Sequence, residues 1–326
     1  MYVIGLEGTA HTAGVGIVSS EGDVLANVKS VYTTEVGGFR PRDAAAHHAR
    51  EFPGLIRQAL EVSGLSPGDL GLVAFSQGPG MGPCLRTTAV AARTIALALR
   101  IPIVGVNHCV AHLEIGRLRT GAEDPVMLYV SGGNTQVIAY AAGRYRVFGE
   151  TLDIGIGNML DKLAREMGLG FPGGPRIMEM ARRGERLLDL PYSVKGMDVA
   201  FSGILTAAKA HLRRGARPED VAFSVQEYAF AMVVEAAERA MAHLGKEEIL
   251  LAGGVALNER LQEMARIMAE ERGASYHCPE PEFLPDNGAM IAWTGYLMYS
   301  SGVRMRIEDT VVRQNFRTDE VEVTWR

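Results

Sequence analysis

Two histidines lie four residues apart in this sequence, and residues of this type at this spacing can bind a metal ion together. His108 and His112 lie in the stretch Asn107–Glu114, which follows the apolar run 101–106. On a helix, side chains four positions apart project from one face, so both imidazoles can bind one divalent cation. Two histidines leave a metal site incomplete, and further ligands must come from elsewhere. Taken alone, the pattern favours two structural histidines on a half-buried helix, each bonded to a neighbouring carbonyl.

The elements that must position these histidines alternate between short apolar strands and helices. Strands are predicted over 2–6, 13–18, 24–31, 72–75, 101–106, 126–130, 136–140, 145–148 and 249–252. Helices are predicted over 41–63, 85–99, 159–167, 176–183 and 218–244. A further helix is predicted to start at Pro285–Gly288, where the simplest role for Asp286 is that of N-cap.

The same succession of three strands and two turns occurs twice in the sequence. A strand, turn, strand, turn and strand begin at Tyr2 and begin again at Val126. Such duplication predicts two similar lobes, which we place at residues 1–125 with 297–326 and at residues 126–296. Each lobe opens with a hairpin whose Gly-rich turn exposes backbone N–H groups, and two such turns can bind the phosphates of a nucleotide in a cleft between the lobes. The alternative is that both are merely turns.

Composition excludes several classes of protein. The chain has 326 residues, of which 47% are hydrophobic and 22% are charged, as in ordinary globular proteins. No apolar run has the length of a membrane span and no secretory signal is present, so a cytoplasmic location without membrane attachment is expected. Three scattered cysteines do not make a disulfide framework, and Cys109 points away from the face that carries His108. The net charge of −5 argues against a free-standing nucleic-acid binder, so a nucleic-acid substrate would need help from partner subunits.

Taken together, these motifs closely resemble the universal tRNA threonylcarbamoyladenosine transferase family, formerly labelled O-sialoglycoprotein endopeptidase. The resemblance covers nearly the whole chain, and the order and spacing of its motifs are specific. It is carried by Gly5–Thr12, Gln77–Gly80, Asn107–Glu114, Tyr129–Gly133, Gly253–Asn258 and Asp286–Gly288. The Gly8–His11 form of the first motif and the stretch Phe201–Gly203 are similar to the archaeal and eukaryotic branch, whose members are catalytic subunits of the KEOPS complex.

The resemblance implies an α/β fold of the actin, Hsp70 and sugar-kinase superfamily, with two duplicated lobes around a nucleotide cleft. It implies one iron or zinc ion, bound at the family's ligand positions by His108, His112, Tyr129 and Asp286. It also implies that an adenine nucleotide, threonylcarbamoyl-AMP or ATP, is held by Tyr129, Val130, Ser131, Gly132, Gly133, Asp161, Gly174, Met178 and Asn258. The family usually carries a glutamate on the ribose where this chain has Met178, which offers no strong hydrogen bond.

The activity that the resemblance implies is an acyl transfer. The family moves a threonylcarbamoyl group from threonylcarbamoyl-AMP to N6 of the adenosine beside the anticodon, in tRNAs that read codons beginning with A. Partners implied are the tRNA, a small kinase-like subunit, a dimerising subunit, an accessory subunit and a separate synthase that makes the adenylate. Glu7 and His11 lie on the turn that faces the second hairpin, and we expect them to be the catalytic residues, with His11 as a proton shuttle.

Other activities remain alternatives to this interpretation. A metallopeptidase of the H-E-x-x-H type needs a glutamate directly after the first histidine, and this chain has Cys109 there. A small-molecule kinase of the same superfamily would not need two histidines with Tyr129 and Asp286. A non-catalytic, nucleotide-gated scaffold is the third alternative.

Overall fold

Two five-stranded sheets form the framework of the computed structural model, which describes residues 1–34 and 40–326. The strands of the first sheet are β1 (Tyr2–Glu7), β2 (Thr12–Ser19), β3 (Val24–Val31), β4 (Leu70–Gly78) and β5 (Ile103–Asn107). Their order is β3-β2-β1-β4-β5: β2 pairs antiparallel with both β1 and β3, and β4 and β5 continue parallel to β1.

The second sheet repeats the layout of the first. Its strands are β6 (Val126–Val130), β7 (Thr135–Ala141), β8 (Arg144–Glu150), β11 (Glu248–Ala252) and β12 (Ser275–His277), and a separate ribbon is formed by β9 (Val194–Lys195) and β10 (Asp198–Val199). The order β12-β11-β6-β7-β8 again has an antiparallel three-stranded meander followed by two parallel strands. β6 therefore corresponds to β1, as the duplicated design predicts.

Helices cover both sheets. They are α1 (Pro41–Ser63), α2 (Gly82–Leu99), α3 (His108–Thr120), α4 (Ile156–Glu166), α5 (Gly174–Ala181), α6 (Ser202–Arg213), α7 (Pro218–Leu244), α8 (Glu259–Glu271) and α9 (Gly288–Ser300). Helices α1 and α2 pack on one face of the first sheet, while α3 and α9 pack on its other face. Helices α4 to α8 enclose the largest apolar core with the second sheet. In the described part of the chain, no helix combines the length and apolarity needed to cross a bilayer.

Helix α9 packs on the first sheet. This helix contacts β1, β2 and β4 of the first sheet along its length, and it also lies against α3. The boundary expected between residues 296 and 297 falls inside α9. We propose a boundary before Gly288 instead, because a helix packed on one sheet belongs with that sheet's core.

Candidate active site

Both histidines sit at the start of α3, where the chain leaves β5. Asn107 ends the strand and caps the helix: its side-chain oxygen accepts from the backbone N–H groups of Cys109 at 3.0 Å and Val110 at 3.1 Å. His108 and His112 follow on one face, with their ring centroids 4.8 Å apart. The predicted strand-to-helix placement of the pair is confirmed.

Asp286 meets this pair from the loop before α9. Its Oδ1 lies 3.4 Å from Nε2 of His108 and 3.3 Å from Nε2 of His112. Asp286 was the simplest candidate for the N-cap of α9, but that cap is Asn287, whose side-chain oxygen accepts from the backbone N–H of Met290 at 3.0 Å. Because Asn287 caps the helix, the carboxylate of Asp286 can face the two imidazoles.

The fourth predicted ligand also reaches this point. The hydroxyl of Tyr129, a buried residue of β6, lies 3.0 Å from Nε2 of His108. The candidate ligand atoms of His108, His112 and Asp286 lie within 4.8 Å of one another. Two imidazoles, a carboxylate and a phenol make a nitrogen and oxygen donor set that fits iron or zinc. Cys109 faces Asn134 instead, with its Sγ 4.0 Å from the amide nitrogen.

Glu7 lies behind His108 rather than in the cleft. Its Oε2 is 3.1 Å from Nδ1 of His108, while its Oε1 accepts from the backbone N–H of Thr9 at 2.7 Å and from the Thr9 hydroxyl at 2.6 Å. A carboxylate on the second ring nitrogen fixes the ring's orientation and directs the other nitrogen toward a metal. Glu7, one of the two predicted catalytic residues, is fully buried, and both of its carboxylate oxygens are engaged by His108 and Thr9.

Buried charges give the two histidines different protonation states. Burial opposes protonation of His108, but its neighbours Tyr129, Glu7 and Asp286 outweigh burial and raise its pKa well above 6.5. Because burial raises the pKa of the Tyr129 phenol, the negative charge beside His108 at neutral pH comes from the two carboxylates. For His112, burial dominates and lowers the pKa. Burial also opposes ionisation of Asp286, but the charge of His108 holds the pKa of this carboxyl well below 3.8.

A cleft of ≈ 690 Å³ opens beside this cluster. Its walls come from the 9–11 turn, the Ser131–Asn134 turn, α4 and the segment 314–318. The Ser131–Asn134 turn is held by the start of α4, since the backbone N–H of Gly157 donates to the Ser131 carbonyl at 3.1 Å and that of Asn158 donates to the Gly132 carbonyl at 2.8 Å. His11 lines the cleft, edge-on to Phe171 with ring centroids 5.3 Å apart. The cleft therefore joins a candidate metal centre to exposed backbone turns from both halves.

Comparison with known proteins decides the family. A sequence model of TsaD, tRNA N6-adenosine threonylcarbamoyltransferase, matches residues 23–293. The chain is similar to the tRNA N6-adenosine threonylcarbamoyltransferase of Thermococcus kodakarensis, with 60% identity over 326 residues that cover 100% of both chains. The chain belongs to this family of transferases. It is also 57% identical to a probable bifunctional tRNA threonylcarbamoyladenosine biosynthesis protein of Methanothermobacter thermautotrophicus, of which it spans 61%.

Solved structures confirm the predicted fold class of this threonylcarbamoyltransferase. HypF from Thermococcus kodakarensis aligns with a TM-score of 0.64 and 17% identity, over 95% of this chain and 49% of that one. Component A of (R)-2-hydroxyglutaryl-CoA dehydratase from Acidaminococcus fermentans aligns with a TM-score of 0.57 and 13% identity, over 92% of this chain and 99% of that one. The chain thus shares with these proteins an α/β fold, built here from two lobes with five-stranded sheets of the same layout.

The residues expected to hold the nucleotide are divided between two depressions of the transferase. Tyr129, Ser131, Gly132, Gly133 and Asp161 line the cleft beside the metal centre. Met178 and Asn258 line a second depression of ≈ 520 Å³ between α5, α7 and α8. Val130 and Gly174 line neither of these two depressions.

Two of these residues have partners within the fold. The Asn258 amide donates to Oε1 of Gln226 at 2.5 Å, and its oxygen accepts from the backbone N–H of Arg260 at 3.0 Å. Asp161 accepts from the backbone N–H of Gly173 at 2.7 Å. Beside Met178, the exposed carboxylate of Glu179 pairs with Arg182 at 3.2 Å.

The segment 314–318 is a part of the cleft that sequence reasoning missed. Gln314, Asn315, Phe316, Arg317 and Thr318 all line it. They belong to the last 26 residues, whose regular structure is limited to two three-residue 3-10 helices and one isolated β-bridge. With neither periodicity nor a recognised motif there, no local signal marks these residues as part of the site.

Proposed function

We propose that this transferase moves a threonylcarbamoyl group from threonylcarbamoyl-AMP to N6 of the adenosine beside the anticodon, in tRNAs that read codons beginning with A. The proposal includes one bound iron or zinc ion held by His108, His112, Tyr129 and Asp286. The observation that carries it is the convergence of these four side chains at one end of a cleft between two backbone turns.

Each part of the cleft has a role in this reaction. When bound, the ion supplies Lewis acidity toward the carbonyl of the transferred group. Glu7 keeps the His108 ring in the orientation that binds the ion. The backbone N–H groups of Gly132 and Gly133 stabilise the phosphate of the departing adenylate, since that of Ser131 donates to the Asn134 carbonyl at 2.8 Å. Holding the adenosine amine and the carbonyl side by side supplies several kcal/mol of the barrier.

His11 is the residue we assign to proton transfer. The attacking amine loses a proton as the new bond forms, and His11 lines the cleft within the turn that faces Ser131–Gly133. General acid–base catalysis typically contributes about 10²- to 10⁴-fold, so His11→Ala should lower the transfer rate by about 100-fold at unchanged metal content. Single-turnover transfer onto tRNA measures this. A full transfer rate in His11→Ala would remove the assignment.

We further propose that the chain works in the cytoplasm as the catalytic subunit of a KEOPS-type complex. Its partners there are a small kinase-like subunit, a dimerising subunit and an accessory subunit, while a separate synthase supplies the adenylate. The net charge of −5 supports joint binding of tRNA by several subunits. The longer Methanothermobacter relative, a probable bifunctional tRNA threonylcarbamoyladenosine biosynthesis protein, supports a second activity that operates beside this one.

A transfer assay tests the proposed reaction. The purified chain, with its partner subunits, is given threonylcarbamoyl-AMP and a tRNA that reads codons beginning with A, before and after removal of metal by a chelator. We expect transfer to be lost with the metal and restored by iron or zinc, and a tRNA with guanosine in place of the target adenosine should accept nothing. Undiminished transfer by the metal-free chain would refute the metal role. Phosphorylation of a small molecule without transfer to tRNA would favour the kinase alternative.

The protonation states predict how metal binding depends on pH. His108 and Tyr129 must each lose a proton to act as ligands, whereas His112 is already neutral because its pKa is lowered. Two released protons mean that the affinity for Zn²⁺ rises by about 100-fold per pH unit while both groups are protonated in the metal-free chain. Tyr129→Phe should reduce this slope to about tenfold per unit, since one proton remains to be released. Chelator competition at several pH values measures both slopes, and equal slopes would show that the phenol is not a ligand.

A further inference from the structure

The segment 314–326, which we call the strap, binds the beginning of the histidine helix. The side-chain amide of Asn107 donates to the backbone carbonyl of Phe316 at 3.1 Å and to that of Arg317 at 3.4 Å. Asn107 is also the N-cap of α3 and directly precedes His108. One end of the strap therefore fixes the residue from which the helix starts.

The other end of the strap binds the same helix beyond His112. Glu114 is 1% exposed, and its Oε1 accepts from the indole N–H of Trp325 at 2.7 Å. The hydroxyl of Tyr145 in β8 donates to the same oxygen, and Arg117 donates to Oε2 at 2.9 Å. A buried carboxylate needs such donors, because an unpaired charge in the interior is costly. Glu114 thus joins α3 to the strap and to the second sheet.

Between these two ends, apolar side chains of the strap pack beside the helix. Phe316 and Val321 belong to one buried cluster with Cys109, Val110 and Leu113, and Trp325 packs against that cluster. Tyr129, the phenol of the candidate metal centre, is part of the same cluster. The strap therefore contacts α3 before, between and after its two histidines.

We propose that Glu114 and Trp325 are positioning residues for the metal centre. His108 and His112 lie on α3, whereas Tyr129 lies on β6 and Asp286 precedes α9, so the four ligand atoms meet only when α3 is held in one place. The strap contributes to that hold by way of Asn107 at the start of the helix and Glu114 beyond it, beside the packing of α3 on the first sheet and on α9. This inference rests on the metal site of the proposed function.

Binding of Co²⁺ alone tests the positioning role, since the visible absorption of Co²⁺ reports the geometry of its ligands. Trp325→Phe keeps an aromatic ring but removes the N–H that Glu114 accepts. We expect about tenfold weaker Co²⁺ binding and an altered Co²⁺ spectrum, as is typical when a group that orients metal ligands is lost. Glu114→Ala should show a larger change, and Glu114→Gln a smaller one, because the glutamine oxygen can still accept from Trp325.

The matched control is Trp293→Phe. Trp293 is the other tryptophan of the chain and stacks on Tyr296, and its indole N–H has no hydrogen-bond partner among the described residues. The Trp293→Phe chain should bind Co²⁺ like the unaltered chain. Circular dichroism confirms folding in each case, and Trp325→Phe decides the question if Glu114→Ala does not fold. Unaltered affinity and spectrum in folded Trp325→Phe would overturn the positioning role. An unaltered chain that binds no Co²⁺ would instead overturn the metal site itself.

Discussion

Asp286→Ala is expected to lower the rate of threonylcarbamoyl transfer by about 10³-fold. The carboxylate is the acidic member of the candidate metal set and faces the Nε2 atoms of both histidines. Without it, two imidazoles and one phenol remain, and the protonated His108 loses a charged neighbour. A Lewis acid at the reacting carbonyl supplies several kcal/mol, and each 1.4 kcal/mol is a factor of ten in rate. Single-turnover transfer and metal content, measured on the same preparation, give the result.

Asp189→Ala is the matched control for this substitution. Asp189 is exposed, and its side chain makes no hydrogen bond or ion pair with the described residues. Its removal should leave both the transfer rate and the metal content within twofold of the unaltered chain, since exposed substitutions usually have small effects (about 0.5 kcal/mol). If Asp286→Ala retained a full complement of metal and its transfer rate, Asp286 would not be a ligand.

The sequence predicts the bounds of a helix well where residues at both of its ends carry start and stop signals. Helix α1 starts with Pro41 at its first position and ends before Gly64, which has a φ of 68°, so both ends carry their own signals. Helix α7 likewise starts at Pro218 and ends before Gly245. Both were predicted with the observed bounds. By contrast, β12 is a three-residue edge strand, and three residues carry too little alternation to be recognised.

The candidate metal centre is predictable only in part from residue patterns. The spacing of His108 and His112 predicts that they share a helix face, but it does not say what completes the site. Tyr129 and Asp286 entered through the resemblance to a family, because no local rule links residues so far apart. At the start of α9, Asp286 and Asn287 are both good caps by type. Only the structure distinguishes them, since Asn287 bonds the helix and Asp286 faces the histidines.

Contacts that orient the site were missed for the same physical reason. Glu7 binds His108 across 101 positions of sequence, and Trp325 binds Glu114 across 211. Such pairs depend on how two sheets and several helices pack together, and nothing in the neighbouring residues indicates it. The sequence places Glu7 on the turn that faces the second hairpin and predicts a catalytic role for it. It is instead the last residue of β1 and fully buried.

Gly16→Ala is expected to destabilise the chain by about 3 kcal/mol and to weaken metal binding. Helix α9 begins against β2 with almost no space between the two backbones. A Cβ added at Gly16 would lie 2.5 Å from the carbonyl carbon of Gly288 and 2.6 Å from Cα of Ala289. Overpacking typically costs about 1–3 kcal/mol, and the upper end applies because backbone atoms cannot change rotamer to relieve it. Equilibrium unfolding in urea, with chelator present throughout, measures the loss without a contribution from bound metal.

The same substitution connects fold stability to the metal centre. Asp286 lies two residues before Gly288, so a shift of the start of α9 away from β2 moves the carboxylate relative to the histidines of α3. Gly54→Ala is the control, because a Cβ there meets nothing within 4 Å and the position is inside α1. Alanine should be neutral or stabilise that helix by about 0.5–1 kcal/mol. A Gly16→Ala chain as stable as the Gly54→Ala chain, with unchanged affinity for Zn²⁺, would show that close contact between β2 and α9 does not hold Asp286 in place.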